Sequence, residues 1–170
     1  MLWGVVGRNG ALWGISRGLA MTTVSKPLFV GSFRHNLDVK NRLTIPAKWR
    51  FAGDENDVYL ALPNPDGCIA VLPPIEVEKL YEKASQHALS DDAAQSLLNA
   101  LFARAHSFGC DKQGRVGVTE DLLKHADIEK EAVLVGSLTK FSIWSPSRWE
   151  KVGLRTAGDN FGDLMRRFGI

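Results

Sequence analysis

The sequence predicts an α+β protein in which two tandem copies of one small β-hairpin unit interleave into a single barrel within one chain, with helices on its flanks. Three observations lead there. Residues 37–45 (Leu-Asp-Val-Lys-Asn-Arg-Leu-Thr-Ile) match residues 110–118 (Cys-Asp-Lys-Gln-Gly-Arg-Val-Gly-Val) at an offset of 73. The same offset lays residues 68–73 over 141–146, each segment ending on a proline. Val58-Tyr59-Leu60 lies over Val133-Leu134-Val135 at an offset of 75, so one intervening loop differs by two residues. One copy of roughly 45 residues buries too little core to stand alone and leaves strand edges unpaired; two interleaved copies cure both faults.

Taken in order, residues 1–27 come first. Met1 to Ala20 carries two arginines and no acid, and five glycines break up its apolar residues, unlike the continuous apolar core of a secretory signal. The segment is expected to be a disordered extension or the product of an upstream start, with Met21 as the alternative start. Residues 28–80 form the first repeat, opening on a strand-like run from Leu28 to Phe33. A tight Asp-x-x-x-Arg turn (Asp38 to Arg42) follows, then a strand to Ile45, with Pro46 expected at the first position of a helix. In such a turn the aspartate accepts hydrogen bonds from backbone N–H groups one or two residues on, and the arginine four positions later reaches back to the same carboxylate. Before each arginine stands Asn41 or Gly114, the residue types that best tolerate a left-handed backbone.

Residues 81–105 are expected to form a helical connector. Its pattern gives helices over 75–87 and 91–105, with Ser90 as N-cap of the second and a core-facing stripe of Leu97, Leu98, Leu101, Phe102 and Ala105. The second repeat spans 106–152, with Asp111 and Arg115 in its turn and Thr119 as the N-cap of its helix. Residues 153–170 form a C-terminal amphipathic helix carrying Phe161, Leu164, Met165 and Phe168.

Composition bounds the function. The chain has 170 residues, 45% hydrophobic and 24% charged, which excludes wholesale disorder. No run reaches the ~18 apolar residues of a membrane helix. Cys68 and Cys110 lack metal-ligand or CxxC spacing, so neither a metal site nor a cofactor is expected. No nucleophile-elbow, phosphate-loop, HExxH or dinucleotide motif occurs, and the four histidines fall in different elements, so no catalytic residues are assigned and the protein is expected not to be an enzyme. The net charge of +2 is uneven. Residues 34–50 hold Arg34, Lys40, Arg42, Lys48 and Arg50 against Asp38 alone, whereas 54–92 hold nine acids against two lysines. A nearly neutral chain can thus present one basic face to a polyanion.

Phe29-Val30-Gly31, residues 37–42, Ile45-Pro46, Arg50, residues 110–115 and Ile143-Trp144 together resemble the MraZ family, transcriptional regulators of the bacterial division and cell-wall gene cluster. The resemblance covers about residues 28–155. It implies an AbrB-like swapped-hairpin fold, no catalysis, and ring-like homo-oligomers that bind short G-rich direct repeats of double-stranded promoter DNA, as a repressor in the cytoplasm and nucleoid, with no membrane or small-molecule partner. Carried onto this chain, Arg42, Lys40, Arg34, His35, Asn41, Arg115 and Lys112 are the candidate DNA-binding residues, and Asp38 and Asp111 organise the turns. Asn41 departs from the family's usual glycine and Val118-Thr119 from a frequent proline. The competing reading is a duplicated-barrel protein–protein interaction module that binds no DNA, in which the Asp–Arg pairs only hold turns. Three basic residues, Arg104, Lys112 and Arg115, accompany the second turn in sequence, fewer than the five around the first.

Overall fold

Period-two alternation sets the strands and decides which faces they bury. The computed structural model describes residues 28–50, 58–86, 91–156 and 160–169. Strands β1 (Ser32–Asn36), β2 (Arg42–Thr44), β3 (Tyr59–Asn64) and β4 (Cys68–Leu72) come from the first half, and β5 (His106–Phe108), β6 (Arg115–Gly117), β7 (Glu131–Gly136) and β8 (Phe141–Trp144) from the second. Six of them form one antiparallel sheet in the order β1-β7-β8-β4-β3-β5, and β2 pairs with β6 in a separate ribbon. The order maps onto itself in reverse when each strand is exchanged for its counterpart some 73 positions away. Each outermost strand therefore pairs with a strand of the other half, β1 on β7 with Arg34 opposite Val133 and β5 on β3 with Leu60 opposite Ser107, and each keeps one unpaired edge among the described residues.

The α+β class and the antiparallel pairing agree with expectation, but among the described residues the strands do not close into a barrel. β1 ends in the Asp38 turn, and the chain leaves the sheet to pair β2 with β6. Among the described residues the first repeat also shows no full helix after its turn. Only a single 3-10 turn forms at Ala47–Trp49, and Pro46 is its N-cap residue rather than its first helical position. The second repeat has a true helix there, α3 (Glu120–Ala126), with Thr119 at the N-cap but without a side-chain cap bond.

One core serves both halves. Trp49, wholly buried, meets Phe29, Phe33 and Phe141 at ring-centroid distances of 5.7, 5.1 and 5.3 Å. Leu43 and Ile45 of the first half share this cluster with Val116, Val118, Leu122 and Ala126 of the second. Along β7, Ala132 and Leu134 enter it, while Val133 and Val135 face the other way, onto Trp144, Trp149 and Val152. The second face is covered by α4 (Pro146–Thr156), whose Arg148 donates to the carbonyls of Gly67 (2.8 Å) and His125 (3.0 Å). Gly136 has no room for a side chain, because a Cβ there would fall on the backbone of Phe29 and Val30, which is bonded to Leu138.

Helix boundaries differ from the sequence reading. α1 runs Pro74–Ser85 and straddles the expected border at 80, and α2 runs Asp92–Phe102. Asp91 is the N-cap of α2, accepting from the Ala94 N–H at 3.0 Å, in place of the expected Ser90, which with His87 lies outside the described residues. The apolar stripe of α2 is not core: no residue of the helix is buried and Leu97 is 68% exposed. Among the described residues, the main contact of α2 with the sheet is at β3. The C-terminal region holds two helices, α4 and α5 (Asn160–Arg167), rather than one from 153. Residues 1–27, expected as an extension, lie outside the described residues.

Candidate nucleic-acid interface

Each Asp-x-x-x-Arg segment folds by the same local chemistry. Asp38 Oδ1 accepts from the backbone N–H groups of Lys40 (2.8 Å) and Arg42 (3.0 Å), and Oδ2 accepts from Arg42 Nε (2.7 Å) and Nη2 (2.6 Å). Asp111 repeats the pattern with Gln113 N–H (2.9 Å), Arg115 N–H (2.9 Å) and Arg115 Nε (2.8 Å). Reciprocal backbone bonds close both turns, from Asp38 N–H to the Arg42 carbonyl and from Asp111 N–H to that of Arg115. Asn41 (φ +55°) and Gly114 (φ +75°) supply the left-handed residue. Positive φ at an asparagine is tolerated because its short side chain crowds the backbone little.

The β2–β6 ribbon joins the two turns. Asn41 O accepts from Val118 N–H at 3.0 Å and Gly114 O from Ile45 N–H at 2.9 Å, so the turns flank opposite ends of the ribbon. Leu43 and Val116 point into the core, and by alternation Arg42, Thr44, Arg115 and Gly117 share the opposite face. The turns are also electrostatically linked: the Arg42 guanidinium is raised above its ordinary value by its hydrogen bond to Asp38, with a smaller contribution from Asp111. Lys40 and Lys112 sit exposed at the two tips, beside a fully exposed Val39.

Two candidates lie apart from these bonds. Arg34 pairs with Glu131 (3.5 Å) on β7 and Glu150 (3.3 Å) on α4. His35, half-buried on the other face of β1, has its pKa lowered by burial. Neither belongs to the bonding of either turn. Of the basic residues counted by sequence neighbourhood, Lys48 lies over the Phe33 ring at 4.7 Å, and Arg104 turns to His125 at 3.4 Å instead of joining the second turn. Arg50 was absent from the candidates, yet its guanidinium occupies the space that a side chain on Gly114 would need. Among the described residues no cluster of three His, Cys, Asp or Glu side chains could hold a metal ion, and no helix is long and apolar enough to cross a membrane. Neither cysteine forms a disulfide; Cys68 is buried and Cys110 half-buried.

The carboxylates predict a pH effect. Hydrogen bonding from the Arg42 side chain holds Asp38 down to about 2 from 3.8, and the Arg115 backbone N–H leads the causes that lower Asp111. A carboxylate with a depressed native pKa stabilises the fold above its unfolded pKa, and that contribution is lost as pH falls through the native value. Melting temperature should therefore fall between about pH 4 and pH 2, partly through these turns. In thermal melts of Asp38→Asn the decline over that window should be shallower than in wild type; parallel profiles would contradict the assignment.

Comparison with known proteins brings one family forward. The family model described as MraZ protein matches residues 101–164. A "Transcriptional regulator MraZ" of Pediococcus pentosaceus is 36% identical over 146 residues, covering 84% of this chain and 100% of the relative. The protein of the same name from Clostridium acetobutylicum is 36% identical over 144 residues, with the same coverage. That of Lactobacillus gasseri is 36% identical over 137 residues, covering 81% of this chain and 94% of the relative.

Proposed function

This chain belongs to the MraZ family, and from that premise we propose that it is a sequence-specific DNA-binding transcriptional regulator whose contact surface is the outer face of the β2–β6 ribbon with its two turns. The observation that carries the reading is the presentation of Arg42 and Arg115 on one face, each pre-oriented by an aspartate at the end of a shared ribbon. A fixed guanidinium loses little freedom on binding and can pair bidentately with guanine O6 and N7 or with a phosphate. Asp38 engages Nε and Nη2 of Arg42, which leaves Nη1 as a donor without a protein partner among the described residues. Lys40 and Lys112 at the tips are suited to phosphates, which give affinity and fix register.

The finer reading is a repressor acting on the promoter of the division and cell-wall gene cluster, at short G-rich direct repeats, as a ring-like oligomer in the cytoplasm and nucleoid. Self-association draws support from exposed apolar side chains on the helices, with Tyr81 75%, Leu97 68% and Phe161 56% exposed. An electrophoretic shift with duplex DNA from upstream of the chain's own gene, repeated over a salt series, tests the central claim. Specific retardation is expected, with affinity falling steeply as salt rises. Binding no tighter than to a scrambled duplex would leave the interaction-module reading in its place.

A further inference from the structure

Arg50 belongs to the first half by sequence and to the second turn by position. It follows the buried Trp49, which fixes where its backbone lies. Its Nε donates to the carbonyl of Ile45 at 2.8 Å, and the N–H of that same Ile45 donates to the Gly114 carbonyl at 2.9 Å. The guanidinium then rests against the Cα of Gly114, where any added Cβ would collide with it, and Gly114 is buried beneath it. The left-handed backbone alone does not demand glycine at this point, since Asn41 holds the matching conformation in the first turn with a side chain in place. What differs between the two turns is the arginine lying across the second.

We infer that Arg50 is a DNA phosphate-binding residue of the second turn, supplied in cis by the first half, with its guanidinium seated in the space that glycine at 114 leaves open. The inference rests on the DNA-binding reading above. Within the second turn Asp111 engages the Arg115 side chain, so Lys112 is the one cation of that turn not paired there. Arg50 adds a second. Its Nε is tethered to Ile45 O, its terminal nitrogens meet no carboxylate among the described residues, and the side chain is half-buried. A tethered guanidinium whose terminal N–H groups meet no carboxylate among the described residues, set on the rim of a turn that presents Arg115, is suited to a backbone phosphate beside that arginine's own contact. Both turns would then bear on DNA, and the second would be stronger than its local sequence suggests.

The test uses the full chain, two duplexes of equal length (the chain's own upstream DNA and a scrambled sequence) and the variants Arg50→Gln and Arg50→Lys, with melting measured for each. Gln keeps an amide donor for Ile45 O but removes the charge; Lys keeps the charge. Arg50→Gln is expected to bind both duplexes about tenfold more weakly, with the salt slope reduced by about one per bound protomer and melting close to wild type. Arg50→Lys is expected to retain the slope. If Arg50→Gln binds within twofold of wild type at an unchanged slope, or if both variants lose binding and melting together, Arg50 is a packing residue and the inference is overturned while the functional reading stands. Wild type retarding neither duplex would overturn both.

Discussion

Arg42→Ala is expected to bind the chain's own upstream duplex at least about tenfold more weakly than wild type while melting close to it. Both halves of that expectation come from the Asp38 geometry. With the arginine side chain removed, Asp38 Oδ1 still accepts from the Lys40 and Arg42 backbone N–H groups, and the reciprocal Asp38 to Arg42 backbone bond is untouched. The turn therefore keeps its shape and loses only its outward donor. Asp38→Ala should behave in the opposite manner, because it removes the acceptor of two backbone and two side-chain bonds at once and leaves Arg42 without orientation; lower melting and weaker binding should appear together. Isothermal titration on the same duplex, alongside calorimetric melts, separates the two variants. Arg42→Ala binding as wild type, or failing only because it has unfolded, would remove this turn from the DNA-reading surface.

The largest loss of stability is expected at Trp49. Its ring is wholly buried among Phe29 and Phe33 of the first half and Phe141 of the second, and its carbonyl accepts from the Tyr59 hydroxyl at 3.4 Å. Trp49→Ala opens a cavity where the halves meet and should cost about 3–5 kcal/mol. For a chain of this size that corresponds to a fall in melting temperature of roughly 10 °C or more. Trp49→Phe should cost far less, about 1 kcal/mol, since it keeps most of the ring and deletes an indole N–H that is buried without a hydrogen-bond partner among the described residues. Urea denaturation of both variants measures the difference. Equal stability of Trp49→Ala and wild type would show that the halves are not held together through this residue.

How much of this was legible in the sequence depends on the distance over which each feature is decided. The turns were legible because their whole chemistry lies within five residues, and Asn41 and Gly114 both adopt the left-handed backbone their types favour. Strand positions followed from alternation and from the offset. The apolar stripe of α2 misled because periodicity reports that a face is apolar and not what covers it; Leu97 is 68% exposed and no residue of the helix is buried. The N-cap passed from Ser90 to Asp91 because both are good capping residues, and one step along the chain lies below the resolution of such signals. Charge counted by sequence neighbourhood misplaced two arginines. Arg104 went to His125, and Arg50 crossed to the other half's turn, because the ribbon that brings residues 45 and 114 together is a pairing that no local window contains.

The interleaved sheet order has a consequence for how the chain is made. Arg34 on β1 and Glu131 on β7 form an ion pair across 97 residues of sequence. Ribosomes add roughly 5–20 residues per second, so β1 waits about 5–20 s after its own synthesis before its partner strand exists. Throughout that interval the nascent first half displays strand edges that only the second half is shaped to cover, and pairings of such long range also form slowly once both strands are present. On a crowded polysome the nearest matching second half can belong to the neighbouring nascent chain. Exchange of halves between chains is therefore the misassembly this topology favours, and its frequency should rise with the density of ribosomes on the message.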